Sequence, residues 1–445
     1  MHRQTRSIFL IALGVAIGIA VSATGIGFAG YGSDKIDAAA GESDLPLKEL
    51  RTFVEILNRV KQGYVEDVSD EELLENSIQG MLTGLDPHSN YLDEDAFEEL
   101  SITTSGEFGG LGIQVQMSNG FVRVISPIDD TPADEAGMEA GDLIIRINGD
   151  PVKGMTLTEA VNIMRGEPGT EITLTVLRED EDGPFEVTIE RDIIEVKSVK
   201  SRMLDDNYGY VRISHFSNQT GDNLRKQIDG LKEEADDSLD GIVLDLRNNP
   251  GGVLEAAVSV SDAFLDDGDI VSIRGRAPNT DKSFAASPGD ILDGRPIVIL
   301  VNAGSASASE IVTGALKDNG RAIVMGQKTF GKGSVQTLIP LESGAAIKLT
   351  TARYYTPSGD SIQARGIKPD VGIKHLKVTA VDSSISPLSE ADLAGVLGND
   401  TPDDEEQEHA EDTDSSNLAE EDYALYEALN LLKGLHILTA GKYQD

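Results

Sequence analysis

The sequence predicts a mixed α/β chain, α+β overall: a core on a mostly parallel sheet, a small β-rich domain inserted before it, and a helical N-terminal region. Three observations carry this prediction. Apolar runs of buried-strand type at 241–246 and 297–301 alternate with helical patterns, as in parallel sheets with helical crossovers. Alternating stretches flank the Asn119-Gly120 hairpin signal. Residues 47–84 repeat apolar positions at helical spacing.

The elements follow in order. Arg3 and Arg6 precede an uncharged stretch from Ser7 to Ser33, the pattern of an export signal. Val21-Ser22-Ala23 offers a cleavage site, but the apolar run continues to Ala29. A cleaved signal peptide and an uncleaved membrane anchor therefore both stay open over 1–33. Either places the rest of the chain outside the cytoplasm. Residues 34–46 read as a linker. Leu50, Phe53, Val54, Leu57 and Val60 form one helical stripe, and Leu73, Leu74, Ile78, Met81 and Leu82 another, so 47–100 is a helical region. The segment Asp86-Pro87-His88-Ser89 breaks it. His88 reads as a turn histidine capping local carbonyls, since no second metal-type ligand sits at a suitable spacing.

Residues 101–192 form the β-rich domain, with paired strands at 112–117 and 121–126 and further strands at 172–178 and 185–190. Its helix, 156–165, opens on Thr156 with Glu159 three residues on, a capping box. Residues 193–375 form the α/β core: strands at 208–213, 241–246, 297–301 and 322–325, helices at 222–231, 253–265 and 306–317, then a hairpin at 335–341 and 345–351. Residues 376–445 are an acidic tail, disordered in part by composition, ending in an amphipathic helix at 423–438.

Composition narrows the chemistry. Over 445 residues, 77 acidic against 37 basic side chains give a net charge of −40, which argues against nucleic acid as a partner. The absence of cysteine excludes disulfides and thiol catalysis.

Two segments carry candidate chemistry. Gly304-Ser305-Ala306-Ser307-Ala308-Ser309-Glu310 places serines at a strand-to-helix turn, where the first helical amides are unpaired. Thr329-Phe330-Gly331-Lys332-Gly333-Ser334-Val335-Gln336 places a lysine between glycines. A lysine activates a serine only when neutral, and no carboxylate occurs from Arg321 through Leu341. Gln336 shares the parity of Lys332 on an extended strand, and a neutral amide holds an amine without raising its pKa. The turn Asn249-Pro250-Gly251-Gly252 follows another buried strand and brings backbone amides close to a substrate. Spacing alone does not choose among Ser305, Ser307 and Ser309. Tight helix packing explains the small residues equally well.

Together the segments Ser-Ala-Ser-Ala-Ser-Glu, Thr-Phe-Gly-Lys-Gly-Ser-Val-Gln and Asp245-Leu246-Arg247-Asn248-Asn249-Pro250-Gly251-Gly252 resemble the C-terminal processing peptidases, the tail-specific serine proteases, over residues 47–375. The resemblance implies Ser307 as nucleophile, Lys332 as base and Gln336 as its assistant. It implies an oxyanion hole from Gly251 or Gly252 and Ala308. Thr131-Pro132-Ala133 through Asp142 resembles the PDZ domain of bacterial proteases. That resemblance implies a carboxylate-binding loop at Gly109-Gly110-Leu111-Gly112, strand addition from Ile113, and a coupling role for Arg165. The expected activity is that of an exported serine endopeptidase, periplasmic or otherwise extracytoplasmic, that reads apolar protein tails. No metal or organic cofactor is implied. A non-catalytic PDZ scaffold for envelope proteins is the alternative, and an adaptor protein and self-association stay open.

Overall fold

The computed structural model describes residues 45–128, 130–179, 181–278, 280–374, 376 and 418–439. The export segment at 1–33, all but the last two residues of the linker, and the acidic run before residue 418 lie outside them. Among the described residues no helix is long and apolar enough to cross a membrane.

The chain divides into two compact units at Ser77. In the first, α1 (Leu47–Gly63) carries the expected stripe, and Leu50, Phe53, Val54 and Val60 are all exposed. A second helix, α2, spans Asp70–Thr83.

The second unit takes in the end of α2 and then a strand and a helix that the periodicity did not reveal, β1 (Asn90–Leu92) and α3 (Glu94–Ser105). Asp93 caps α3 by accepting from the Ala96 amide, and Gly106 ends it at φ 79°. The small β domain follows. β2 (Glu107–Gly110) leads into β3 (Ile113–Ser118) and β4 (Phe121–Pro127), the expected hairpin. Then come α4 (Pro132–Glu135), β5 (Leu143–Ile147), β6 (Asp150–Pro151), α5 (Leu157–Met164), β7 (Glu171–Leu177), β8 (Phe185–Glu190) and β9 (Asp192–Glu195). The sheet order β3-β4-β5-β7-β8 leaves β3 at an edge, while β9 returns to pair with β2. Val122, Val124, Ile144, Ile147, Leu174 and Val176 alternate inward along their strands and pack with Ala160 and Met164 of α5.

The core sheet runs β10 (Val199–Asp205), β11 (Tyr208–Ile213), β12 (Gly241–Asp245), β15 (Ile297–Val301), β16 (Ala322–Gly326) and β19 (Val371–Gly372). All of its pairings are parallel except β10 with β11. β12 and β15 are buried on both faces, which is why they read as continuous apolar runs. One face, with Ile242, Leu244, Ile297, Ile299 and Val301, packs against α6 (Thr220–Glu234), α7 (Leu254–Asp262) and α8 (Ala308–Asp318). The other face, with Val243, Val298 and Leu300, packs against Leu425, Ala428 and Leu432 of α9 (Tyr423–Thr439). The terminal helix read as part of a tail is therefore a layer of the core. Arg247 latches it, pairing with Asp245 at 2.6 Å and with Asp422 at 2.7 Å.

A second, antiparallel sheet joins β1, β18 (Ala346–Tyr355), β13 (Asp269–Gly275) and β14 (Lys282–Ala285), with β17 (Ser334–Pro340) on the other side of β18. The β17–β18 hairpin follows the sequence. β13 and β14 were not anticipated, because their short, charge-interrupted runs lack a clean period.

Candidate active site

The turn between β15 and α8 carries the three serines. Ser305 Oγ donates to the Leu246 carbonyl at 2.8 Å, and Ser309 Oγ donates to the Asn249 carbonyl at 3.0 Å. These two hydroxyls sew the turn to the glycine loop after β12. Ser307 differs from both. It sits at φ 55°, ψ −112°, a region that costs a non-glycine residue about 1–3 kcal/mol. Close to it lies Tyr354, a buried phenol that burial pushes up to about 12. A strained serine at the head of a helix that follows a buried strand is a known way of exposing a nucleophile.

Gly251 lies directly against Ser307. A Cβ there would come within 2.7 Å of the Ser307 Cβ and 2.9 Å of the Ala308 nitrogen. Only glycine permits this approach, and its φ of 100° excludes other residues independently. The Gly251 N–H donates to Asn249 Oδ1 at 2.9 Å. The amides of Gly252 and Ala308 form no hydrogen bond with another described residue.

Lys332 enters from the loop before β17. The sequence argument set it in a stretch free of carboxylates, but the fold brings one to it. Glu310, fully buried in the first turn of α8, accepts from the Lys332 amide at 2.8 Å and the Gly331 amide at 2.7 Å. The same carboxylate accepts from the Ser307 amide at 2.9 Å and from the Thr329 hydroxyl. Glu310 was the last residue of the serine segment, and its Ser-x-x-Glu spacing is a capping-box signal that would have drawn attention to it. Lys332 still holds its proton less tightly than a free lysine. Burial is the main cause and the nearby charge of Lys348 the second, and together they outweigh the opposing pull of Glu310. Among the described residues, no hydrogen bond or ion pair engages Lys332 Nζ.

Gln336 does not bond Lys332 here. Its amide donates to Ser334 Oγ at 2.8 Å and to Thr350 Oγ1 at 3.3 Å. The pairing of β17 with β18 shifts between Val335 and Gln336, passing over Thr351, so that Thr350 lies opposite Gln336. Thr350 also donates to Asp86 Oδ1 at 3.0 Å, and its amide donates to Ser89 Oγ at 3.1 Å. The turn at 86–89 thus fastens to the strand beside the lysine. Asp86 organises it, accepting from the His88 and Ser89 amides and the Ser89 hydroxyl. Its burial is outweighed by these bonds, which hold its carboxyl below the usual range. The expectation that His88 caps local carbonyls is corrected: among the described residues its ring forms no hydrogen bond, and Asp86 instead caps amides of the turn. Burial first, then the charge of Lys332, keeps His88 below the usual histidine range. Linear separation hid this neighbour of the lysine.

In the small β domain, Gly112 has φ 78°, and a Cβ there would strike Thr131 at 2.3 Å. The amides of Leu111 and Gly112 bond no other described residue. Partly buried Ile113 and Val115 of β3 and Leu157 and Val161 of α5 pack against the core of the domain. Arg165 ends α5 with its guanidinium over the Phe108 ring, 5.5 Å from the centroid.

Comparison with known proteins identifies the domains. Residues 207–373 match the model of peptidase family S41, residues 109–189 that of the PDZ domain, and residues 28–96 that of the activating protease CtpB N-terminal domain. A carboxy-terminal-processing protease of Bartonella bacilliformis is 50% identical over 349 residues, covering 78% of this chain and 80% of that protein. The carboxy-terminal processing protease CtpA of Bacillus subtilis is 35% identical over 373 residues, covering 83% of this chain and 78% of that one. Among solved structures, the photosystem II D1 C-terminal processing protease aligns with 73% of this chain and 93% of its own at 29% identity and a TM-score of 0.42. The chain therefore belongs to the carboxy-terminal processing proteases of peptidase family S41 and is a serine-type peptidase with a PDZ domain.

Proposed function

We propose that the protein is an exported endopeptidase that captures apolar C-terminal tails on its PDZ domain and cleaves the chain with a Ser307–Lys332 dyad. The observation that carries the dyad is the shared anchor: the amides of Ser307 and Lys332 donate to the same oxygen of Glu310. Lys332, held below its ordinary pKa by burial and by Lys348, takes the Ser307 proton. Ser307 Oγ attacks the scissile carbonyl, and the amides of Ala308 and Gly252 meet the oxyanion, each donor contributing about 3 kcal/mol; the Gly251 amide is already bound to Asn249 Oδ1. Collapse forms the acyl-enzyme as Lys332 returns its proton to the leaving amine. Water, deprotonated by Lys332, then releases the acid. Gln336 holds the Ser334 and Thr350 hydroxyls of the strands beside Lys332 rather than the lysine itself.

A tail adds to the free edge of β3 from Ile113, its carboxylate on the amides of Leu111 and Gly112, since Gly109 and Gly110 are paired in β2, and its last apolar side chain between β3 and α5. Arg165, stacked on Phe108 of β2, couples capture to the core. Gln219 of the core reaches Glu107 of the same strand at 2.7 Å, and Phe216 donates to the Gly251 carbonyl at 3.0 Å. The charged-then-apolar N-terminus supports export.

The test is cleavage of an unfolded protein such as casein. Ser307→Ala and Lys332→Ala are each expected to abolish it with circular dichroism unchanged. Full activity in either variant overturns the dyad, and no cleavage by the wild-type chain favours a scaffold.

A further inference from the structure

We propose that Glu310 is a positioning residue of the dyad, a buried carboxylate that sets the distance between nucleophile and base. The proposal rests on the reading that Ser307 and Lys332 react.

Its geometry exceeds what a helix cap requires. A cap satisfies the amides of its own first turn. Glu310 accepts from one such amide, at Ser307, and from three donors of a separate segment, at Thr329, Gly331 and Lys332. One oxygen, Oε2, joins the backbones of the two reacting residues at 2.9 and 2.8 Å. The other, Oε1, holds Gly331 and the Thr329 hydroxyl, which itself accepts from the Ile367 amide at 2.7 Å. The carboxylate is wholly buried, and burying a charge is costly unless every lone pair is used. A fixed anion next to a base also works against the base. Three groups face Lys332 from other elements: Lys348 of β18, His88 of the turn before β1, and Glu310 itself. Glu310 opposes proton loss, whereas burial and Lys348 favour it. A residue that serves geometry while opposing protonation chemistry has a distinctive signature, because neutralising it moves the two readouts in opposite directions.

Glu310→Gln in the full chain is the test. The amide keeps one acceptor for Ser307 and Lys332 but turns a donor toward Gly331. Expected are a loss of about 100-fold in kcat/KM on casein at its plateau, and displacement of the alkaline-rising limb to lower pH. A cap that only stabilises the helix would lower the melting temperature and leave the limb in place. An unmoved limb, or wild-type kcat/KM, overturns the proposal. If Glu310→Gln does not fold, Thr329→Val decides: it removes one donor and keeps the charge. A loss of several-fold in kcat at unchanged KM supports the proposal, and wild-type kcat overturns it. Labelling with a fluorescent fluorophosphonate separates the two readings. If wild type and Ser307→Ala label alike, the dyad reading has failed and this proposal falls with it; if only wild type labels, the pH and rate measurements on Glu310→Gln decide this proposal alone.

Discussion

Two helices in this molecule open on the same four-residue pattern. In the PDZ domain, Thr156 and Glu159 form a reciprocal box at the head of α5: Glu159 accepts from the Thr156 amide at 2.7 Å, and Thr156 Oγ1 accepts from the Glu159 amide at 3.2 Å. Both side chains are exposed, and the hydrogen bond from the Thr156 backbone holds the Glu159 carboxyl below its usual range. In the peptidase core, Ser307 and Glu310 stand at the head of α8 with the same spacing. There the carboxylate is buried and most of its donors come from another loop. The comparison teaches that a local signal states which atoms are available, while burial decides how many partners they take. Where water is present the box stays a cap. Where water is excluded the same carboxylate must gather every nearby donor, and so it gathers the loop at Thr329, Gly331 and Lys332.

Alanine substitutions should separate the two boxes most widely. Glu310→Ala is expected to remove about 4 kcal/mol of stability, because several buried donors lose their acceptor, and to abolish cleavage. Urea unfolding monitored by circular dichroism measures the first effect and casein hydrolysis the second. A loss no larger than at an exposed cap would mean that the buried box is only a cap.

A smaller effect concerns the base. Lysine works as the neutral amine, so activity should rise with pH along a limb below the 10.5 of free lysine. Lys348→Met removes a cation that lowers the pKa of Lys332, so the limb should move to higher pH. A pH–rate profile checks this. Movement to lower pH would show that the sign assigned to Lys348 is wrong.

The smallest effect is expected at the exposed box. Thr156→Ala should cost about 1 kcal/mol of stability and leave the casein cleavage rate unchanged, since the change lies at the solvent end of α5. A large fall in cleavage would place that helix start in the working path of the enzyme.

The two boxes also mark how far the chain could be read unaided. The Thr156 box, the β17–β18 hairpin and the buried parallel strands were legible because their signals are local: a spacing of three, a period of two, an unbroken apolar run. Lys332 and Ser307 were legible as candidates for the same reason. The choice of Ser307 over its neighbours needed the resemblance. The structure adds a physical ground for it, since Ser305 and Ser309 are tied to main-chain carbonyls while Ser307 occupies the strained turn. Glu310, Tyr354, Lys348 and His88 were not read as parts of the site. Each is distant in sequence or hidden inside a segment with another apparent purpose.

The sequence by itself determined the fold class, the buried parallel strands with their helices and the residue types that chemistry needs, because periodicity and turn preferences act over a few residues. Only the tertiary structure decided the environment of those residues. It placed a carboxylate against a lysine turn whose sequence is free of acids, made the terminal helix a layer of the core, and carried the turn at Asp86 to the strand beside the base. Burial, charge and hydrogen bonding act through space, and the elements that met at this site lie up to hundreds of residues apart along the chain.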